Sequence, residues 1–331
     1  MRYGKFIAVL LALLVVAAGV TFATGGKELS GRPFVIYMQM GGTQEDGATL
    51  ARTNGARQAA KDLGVKVIEQ YSQWQPEKMI AQFKEAMAAK PTAIVIMGHP
   101  GNDAFMPLVD EAVKMGIIVT SGNAPLNDIE AKYKAQGFGY AGVDLYAGGY
   151  LTGTNMITLG GLQAGDKAVE YGLFSSPTRQ ESENGVVDAL TKAGVAVDKI
   201  NITAQVDGDA SLAVPVLTAY LVAHPDCKAI GTQHGAITSI IPNALKAAGK
   251  KPGELVVGGI DLAPATIAGL QQGWISATLD QVLYLQGYMP VAQCVATALY
   301  KIPGIHVNTA AGVVTPETIA DLAPLIKKGI R

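Results

Sequence analysis

An α/β protein of two similar lobes, each built on a parallel sheet, is the fold this sequence predicts. One repeated unit is the first observation behind that. Residues 229–264 read AIGTQHGAITSIIPNALKAAGKKPGELVVGGIDLAP. An apolar run ends in a polar tip at Gln233-His234-Gly235. Ile237, Ile240, Ile241, Leu245 and Ala248 then recur at helical spacing, Gly249 stops the helix, and a second apolar run ends in Asp261. That is a strand–helix–strand unit of parallel sheet. Residues 93–125 repeat the outline: a strand at 93–97 with His99 at its tip, a helix at 103–114 closed by Gly116, and a strand at 117–120 ending in Ser121-Gly122-Asn123. The second observation is that strand and helix patterns alternate along the whole chain, as in doubly wound sheets. Ligands of open α/β sheets bind off the carboxyl ends of the strands. Two lobes facing each other would therefore enclose a ligand between their polar tips.

The other elements follow in order. Residues 34–38 read as the first strand and 48–63 as a helix ended by Gly64. A strand at 65–69 leads to a polar-aromatic loop at 71–75, and Pro76 suits the first turn of the helix at 77–89. Residues 124–136 carry no regular pattern. A strand at 138–143 is followed by a helix that starts at Asp144 and runs through Ile157. The second series then begins: a strand at 167–174, a polar loop at 175–183 containing Arg179, a helix at 184–193, a strand at 200–206, a loop at 207–210 and a helix at 212–223. After the repeated unit come a strand at 274–279 holding Trp274 and a helix at 282–300, and residues 313–314 and 318–328 close the chain.

Length and composition set bounds. The chain has 331 residues, enough for about two domains of ordinary size. A net charge of −1 gives no electrostatic reason to expect nucleic acid. Arg2 and Lys5 precede the apolar run 6–20, and Thr21-Phe22-Ala23 offers a cleavage point. That layout is a secretory signal peptide over residues 1–23, so the mature protein is expected outside the cytoplasm. Export permits disulfides, but Cys227 and Cys294 fall in different lobes and read as unpaired. No phosphate loop and no GxSxG elbow occurs, and the GxGxxG string at 137–142 does not open a helix after a first strand. No cofactor and no metal is expected. An exported enzyme using His99, His234 and Asp261 as zinc ligands is the weakest reading, because their spacing matches no metal motif.

Several short stretches together resemble a known family. They are Gly55-Ala56 with the run 59–64 (AAKDLG), residues 223–226 (AHPD), 257–261 (VGGID) and 273–281 (GWISATLDQ), in that order and at that spacing. The chain resembles the periplasmic sugar-binding proteins of the ribose-binding type, which serve ABC transporters. The resemblance implies two Rossmann-like lobes joined by three hinge crossovers, near 139–144, 278–281 and 310–315. The first lobe would comprise 32–140 plus 282–309 and the second 141–281 plus 310–331. Closure about the hinges would trap the ligand in the cleft between them.

The resemblance also implies site residues. Asp261 and Gln281 stand where the family places its binding Asp and Gln. His99 and His234 replace an Asn at two strand tips, and Gly122-Asn123 replaces an Asp-Arg pair. Arg179 falls near the family's loop arginine. The paired Phe of the first loop is missing; Gln44 and Asp46 lie there instead, and Gly208 replaces another aromatic. Trp74 is the candidate for the lost aromatic wall. Planar Asp, Asn, Gln and Arg ends can each answer two neighbouring hydroxyls, which suits a monosaccharide or polyol. The expected activity is binding without catalysis, as a monomer, with delivery to a membrane permease; a chemoreceptor is a second possible partner. A sugar-responsive repressor would share the lobes but would need a helix-turn-helix where the signal segment stands.

Overall fold

The computed structural model describes residues 28–29, 32–44 and 46–331. The signal segment expected at 1–23 lies outside them. Two six-stranded sheets form the frame. The first contains β1 (Val35–Gly41), β2 (Lys66–Tyr71), β3 (Ala93–Met97), β4 (Ile118–Gly122), β5 (Tyr140–Gly142) and β11 (His306–Asn308), in the order β11-β5-β4-β3-β1-β2. The second contains β6 (Lys167–Gly172), β7 (Ala196–Asn201), β8 (Cys227–Gly231), β9 (Val256–Ile260), β10 (Ala277–Asp280) and β12 (Gly312–Val314), in the order β12-β10-β9-β8-β6-β7. The two orders match position for position. Within these two sheets every pairing is parallel except β10 with β12.

Helices cover both faces of each sheet, which is why strands such as β3 read as unbroken apolar runs. In the first lobe Ile94 and Ile96 pack with Met79 and Phe83 of α2 (Pro76–Ala88) and with Phe105 and Val109 of α3 (Asn102–Lys114). On the other face Ile36, Met38 and Val95 meet α1 (Gly47–Leu63) and α11 (Leu283–Tyr300). In the second lobe α5 (Leu145–Gly160) and α6 (Gln180–Lys192) cover one face. The opposite face carries α8 (Ala213–Ala223), α9 (Gly235–Ala247), α10 (Pro264–Gln271) and α12 (Ile319–Lys327).

Each lobe brings one helix pair unusually close. A Cβ on Gly55 would overlap the carbonyl of Tyr284, and one on Gly287 would overlap that of Arg52. In the second lobe Gly149 meets the carbonyl of Ser182 and Gly185 that of Tyr146 in the same way. These crossings fix α1 and α6, two of the helices whose amino ends reach the cleft.

The chain passes between the sheets three times: after β5, between β10 and α11, and between β11 and β12. Hydrogen bonds join the last two passages. Thr309 Oγ1 donates to the Gln281 carbonyl at 2.7 Å, and Gln286 Nε2 donates to Thr309 Oγ1 at 3.1 Å. At the end of the chain the Gly329 carbonyl accepts from Asn54 Nδ2 of α1 at 3.0 Å.

Local differences from the sequence reading have physical causes. Residues 124–136 contain a helix, α4 (Asn127–Tyr133), that buries Ile129. It is too short to show a period. The strand expected at 200–206 is β7, shifted back to Ala196–Asn201; Thr203 caps a single helical turn, α7 (Ala204–Gly208), instead. The loop expected to run through residue 183 ends at Arg179, because α6 starts at Gln180. Trp274 is buried but precedes β10 rather than lying in it. Cys227 and Cys294 are both buried and free.

Candidate functional site

The carboxyl ends of both sheets open onto one cavity of about 420 Å³. Asp46, Trp74, His99, Asn123, Arg179, His234, Asp261 and Gln281 all line it. Loops of the two lobes meet beside it, where Thr178 Oγ1 donates to the Gly98 carbonyl at 3.4 Å.

In the first lobe Asp46 caps α1, its Oδ1 accepting from Ala48 N at 2.9 Å. Its Oδ2 accepts from Trp74 Nε1 at 2.8 Å. Gln73 and Trp74 both hold left-handed backbone, with φ 56 and 61. That turn lays the indole over Gly41, where any Cβ would strike the ring. The indole stacks on His99 with ring centroids 5.5 Å apart. His99 Nε2 lies 2.9 Å from Asn123 Oδ1, and Asn123 Nδ2 donates to Gln286 Oε1 at 2.9 Å. Burial, with Arg179 and Arg52 nearby, pulls the His99 imidazole down to about 4, so it is neutral at physiological pH.

In the second lobe Arg179 is 6% exposed and its Nη2 donates to the Gln233 carbonyl at 2.9 Å, while Nη1 has no protein partner. His234 Nε2 lies 2.8 Å from Asp207 Oδ1, and its Nδ1 accepts from Ile237 N, capping α9. Asp261 Oδ1 accepts from Gln281 Nε2 at 2.7 Å. Burial pushes the Asp261 carboxyl up against the opposing pull of Gln281 and Arg179. Asn123 and Asp261, which follow corresponding strands, both adopt left-handed backbone, at φ 66 and 72. Asn and Asp tolerate that conformation better than other side chains with a Cβ. Tyr140 buttresses the first of these turns, its hydroxyl reaching the carbonyls of Asn123 and Val143.

Gln44 alone of the expected residues stays out of the cavity. It is exposed on the loop that Asp46 turns into α1. The structure adds Arg52, Asp207 and Gln233 to the lining. Arg52 is 1% exposed; its Nη1 donates to the Met40 carbonyl at 2.6 Å, and Nε and Nη2 have no protein partner. Burial lowers this guanidinium to about 10, so it remains charged. The signal for it was in the sequence: Arg52 shares the buried face of α1 with Ala56 and Ala59, where a charge needs a reason. Among the described residues no group of His, Cys, Asp and Glu is arranged to hold a metal ion. His99, His234 and Asp261 are each engaged by a different partner. The arrangement offers neutral and charged donors and acceptors around a small cleft, with one aromatic face.

Comparisons with known proteins bear on the family and the fold. Residues 45–301 match the family described as the periplasmic binding protein domain. A xylose/arabinose-binding protein of Sulfolobus acidocaldarius is 26% identical over 230 residues, covering 66% of this chain and 55% of the relative. A D-ribose/D-allose-binding protein of Pseudomonas aeruginosa is 26% identical over 198 residues, 60% of each. The chain thus spans less than two thirds of the length of these curated relatives. Among solved structures, a carbohydrate transporter solute-binding protein from Agrobacterium radiobacter, in complex with D-arabinose, superposes with a TM-score of 0.77 at 22% identity. That match covers 91% of this chain and all of the other, 100%. At that identity the likeness establishes the fold.

Proposed function

This chain belongs to the periplasmic binding protein family, and from that premise we propose that it is an exported solute-binding protein. It captures a monosaccharide or related polyol by hinge closure and hands it, unaltered, to an ABC transporter permease. The observation that carries this reading is a cavity of about 420 Å³ built from the strand ends of both sheets. That volume is within the ~300–1,000 Å³ typical of small-molecule sites. Hydroxyls of the ligand would pair with Asp261, Gln281, Asn123, Arg179, His99 and His234. Trp74 would face its apolar side. In a closed cleft each unmatched polar group costs about 1–3 kcal/mol, so selectivity needs no chemistry.

The lobes that close are 32–140 with 282–309 and 141–281 with 310–331. The three passages between the sheets serve as the hinge. The protein acts as a monomer in the extracytoplasmic space, without nucleic acid, and a chemoreceptor is a second candidate partner. Relatives with names such as the xylose/arabinose- and D-ribose/D-allose-binding proteins support the sugar reading.

The test is a thermal-shift and calorimetric screen of pentoses, hexoses and polyols. At a 100-fold excess over Kd the bound sugar should stabilise the protein by about 2.7 kcal/mol. The recovered ligand should be chemically unchanged, and EDTA should have no effect. Conversion of the sugar, or binding lost on chelation, would refute the reading.

A further inference from the structure

Helix α1 carries Arg52 and, farther along, Arg57, and the two use one guanidinium edge differently. Arg57 donates from Nε and Nη2 to the two carboxylate oxygens of Glu69, at 2.6 and 2.8 Å. That is the side-on fork by which arginine grips a pair of oxygens. Arg52 presents the same two atoms, Nε and Nη2, without any protein partner, although the residue is 1% exposed. The rest of the side chain is held in place. Its Nη1 is tied to the Met40 carbonyl, the guanidinium lies 5.8 Å from the centre of the Trp74 ring, and its backbone carbonyl is pressed against Gly287. Leaving charged N–H groups buried and unpaired is costly. A cavity-wall residue whose fork is held by the protein yet unpaired by it is built for something else.

We infer that Arg52 is a specificity-determining ligand residue, whose Nε–Nη2 edge donates to two neighbouring hydroxyls of a neutral sugar. This rests on the reading of the cavity as a sugar site. Neutrality follows from the charges already there. The guanidiniums of Arg52 and Arg179 are opposed by Asp46 and Asp261, and Asp207 and Glu77 add further carboxylates to the lining, so no positive charge is left over. His99 adds no positive charge near neutral pH. An anionic ligand would bring an uncompensated charge into a desolvated cavity.

The experiment is calorimetry on the full chain and its Arg52→Lys and Arg52→Met variants. The probes are D-ribose, D-allose, D-xylose, L-arabinose, their monodeoxy counterparts, D-gluconate and D-glucuronate. Far-UV circular dichroism and unliganded melting report folding. Arg52→Lys keeps the charge and loses the fork, and should weaken the best neutral sugar about 10- to 100-fold. For the deoxy sugar lacking one of the paired oxygens, the same substitution should cost less than about threefold, because that partner is already gone. If a variant fails to fold, the deoxy series on the parent decides: two adjacent positions must each cost about tenfold. Variants that bind the best neutral sugar within about threefold of the parent overturn the role of Arg52. So does a deoxy series with no adjacent pair of sensitive positions. A sugar acid that binds more tightly than its neutral counterpart overturns the neutral class. If no probe binds the folded parent, the sugar-site reading itself fails, and the role of Arg52 fails with it.

Discussion

His99 and His234 sit at the tips of corresponding strands, β3 in one lobe and β8 in the other, yet the lobes use them differently. His99 stacks on Trp74 and faces Asn123, and burial together with two nearby guanidiniums holds it neutral. His234 is turned toward Asp207 and caps its own helix. The next strand tips show a similar divergence. Asn123 and Asp261 share a left-handed backbone, but one side chain is neutral and tied to Gln286, and the other is a carboxylate tied to Gln281. Matching topology thus fixes where polar groups emerge. The neighbours supplied by other loops decide what each group becomes.

The same divergence reaches beneath the site. In the first sheet buried Gln39 is satisfied at both ends, donating to the Met79 carbonyl at 2.7 Å and accepting from Met97 N at 3.0 Å. In the second sheet neither carboxyl oxygen of buried Glu170 accepts from an N–H or hydroxyl donor, and the side chain lies over Gly231, where a Cβ would strike it. Neighbouring Glu183 spends its oxygens on Leu173 N and Gln233 N. Burial, with the Glu183 carboxylate beside it, holds Glu170 protonated well above the usual carboxylate range.

The sharpest way to break the comparison is at the left-handed tips. Asp261→Ala should weaken the best sugar about 100-fold and Asn123→Ala about tenfold, since a charged hydrogen bond is worth more than a neutral one. Asp261→Asn keeps the backbone preference and should fall between them in calorimetry. Equal losses at the two positions would mean that the tips act through backbone shape alone.

Next comes Glu170→Gln. The native state keeps a proton that the unfolded carboxyl gives up, so the parent should lose stability as pH rises above about 4.5. The amide variant should flatten that slope and gain about 1–3 kcal/mol at pH 8 in urea unfolding. A slope that persists unchanged would assign it to other groups.

His99→Asn tests the opposite sign. Between about 4 and about 6.5 the unfolded imidazole takes up a proton that the native one refuses. The parent should therefore lose stability as pH falls through that window, by about 1–2 kcal/mol at pH 5. The variant should lose less.

The smallest effect belongs to the one-sided aromatic wall. Trp74→Phe removes the bond to Asp46 and trims the stack on His99, and should weaken sugar about three- to tenfold with little change in unliganded melting. An unchanged Kd would place the indole off the ligand.

Much of this was readable in the chain. The repeated strand–helix–strand outline identified both lobes because buried parallel strands leave unbroken apolar runs, and because Gly64 and Gly249 end their helices in left-handed turns. The polar tips His99, Asn123, His234 and Asp261 were visible because they interrupt those runs. Short elements were not. α4 and α7 are set by packing and capping, and one helical turn has no period to detect. Gln44 was expected on the strength of its loop, but Asp46 takes the inward role by capping α1.

By itself the sequence determined which segments become strands and helices, and that two alike sheets result, since those depend on neighbours a few residues away. Only the tertiary structure decided the character of the site. The sequence shows Arg52 only as a charge on an apolar helix face; its unpaired fork exists because Met40, Trp74 and Gly287 hold it from three other segments. The charge of His99 and the proton on Glu170 depend likewise on desolvation and on groups far away in the chain, which folding alone brings together.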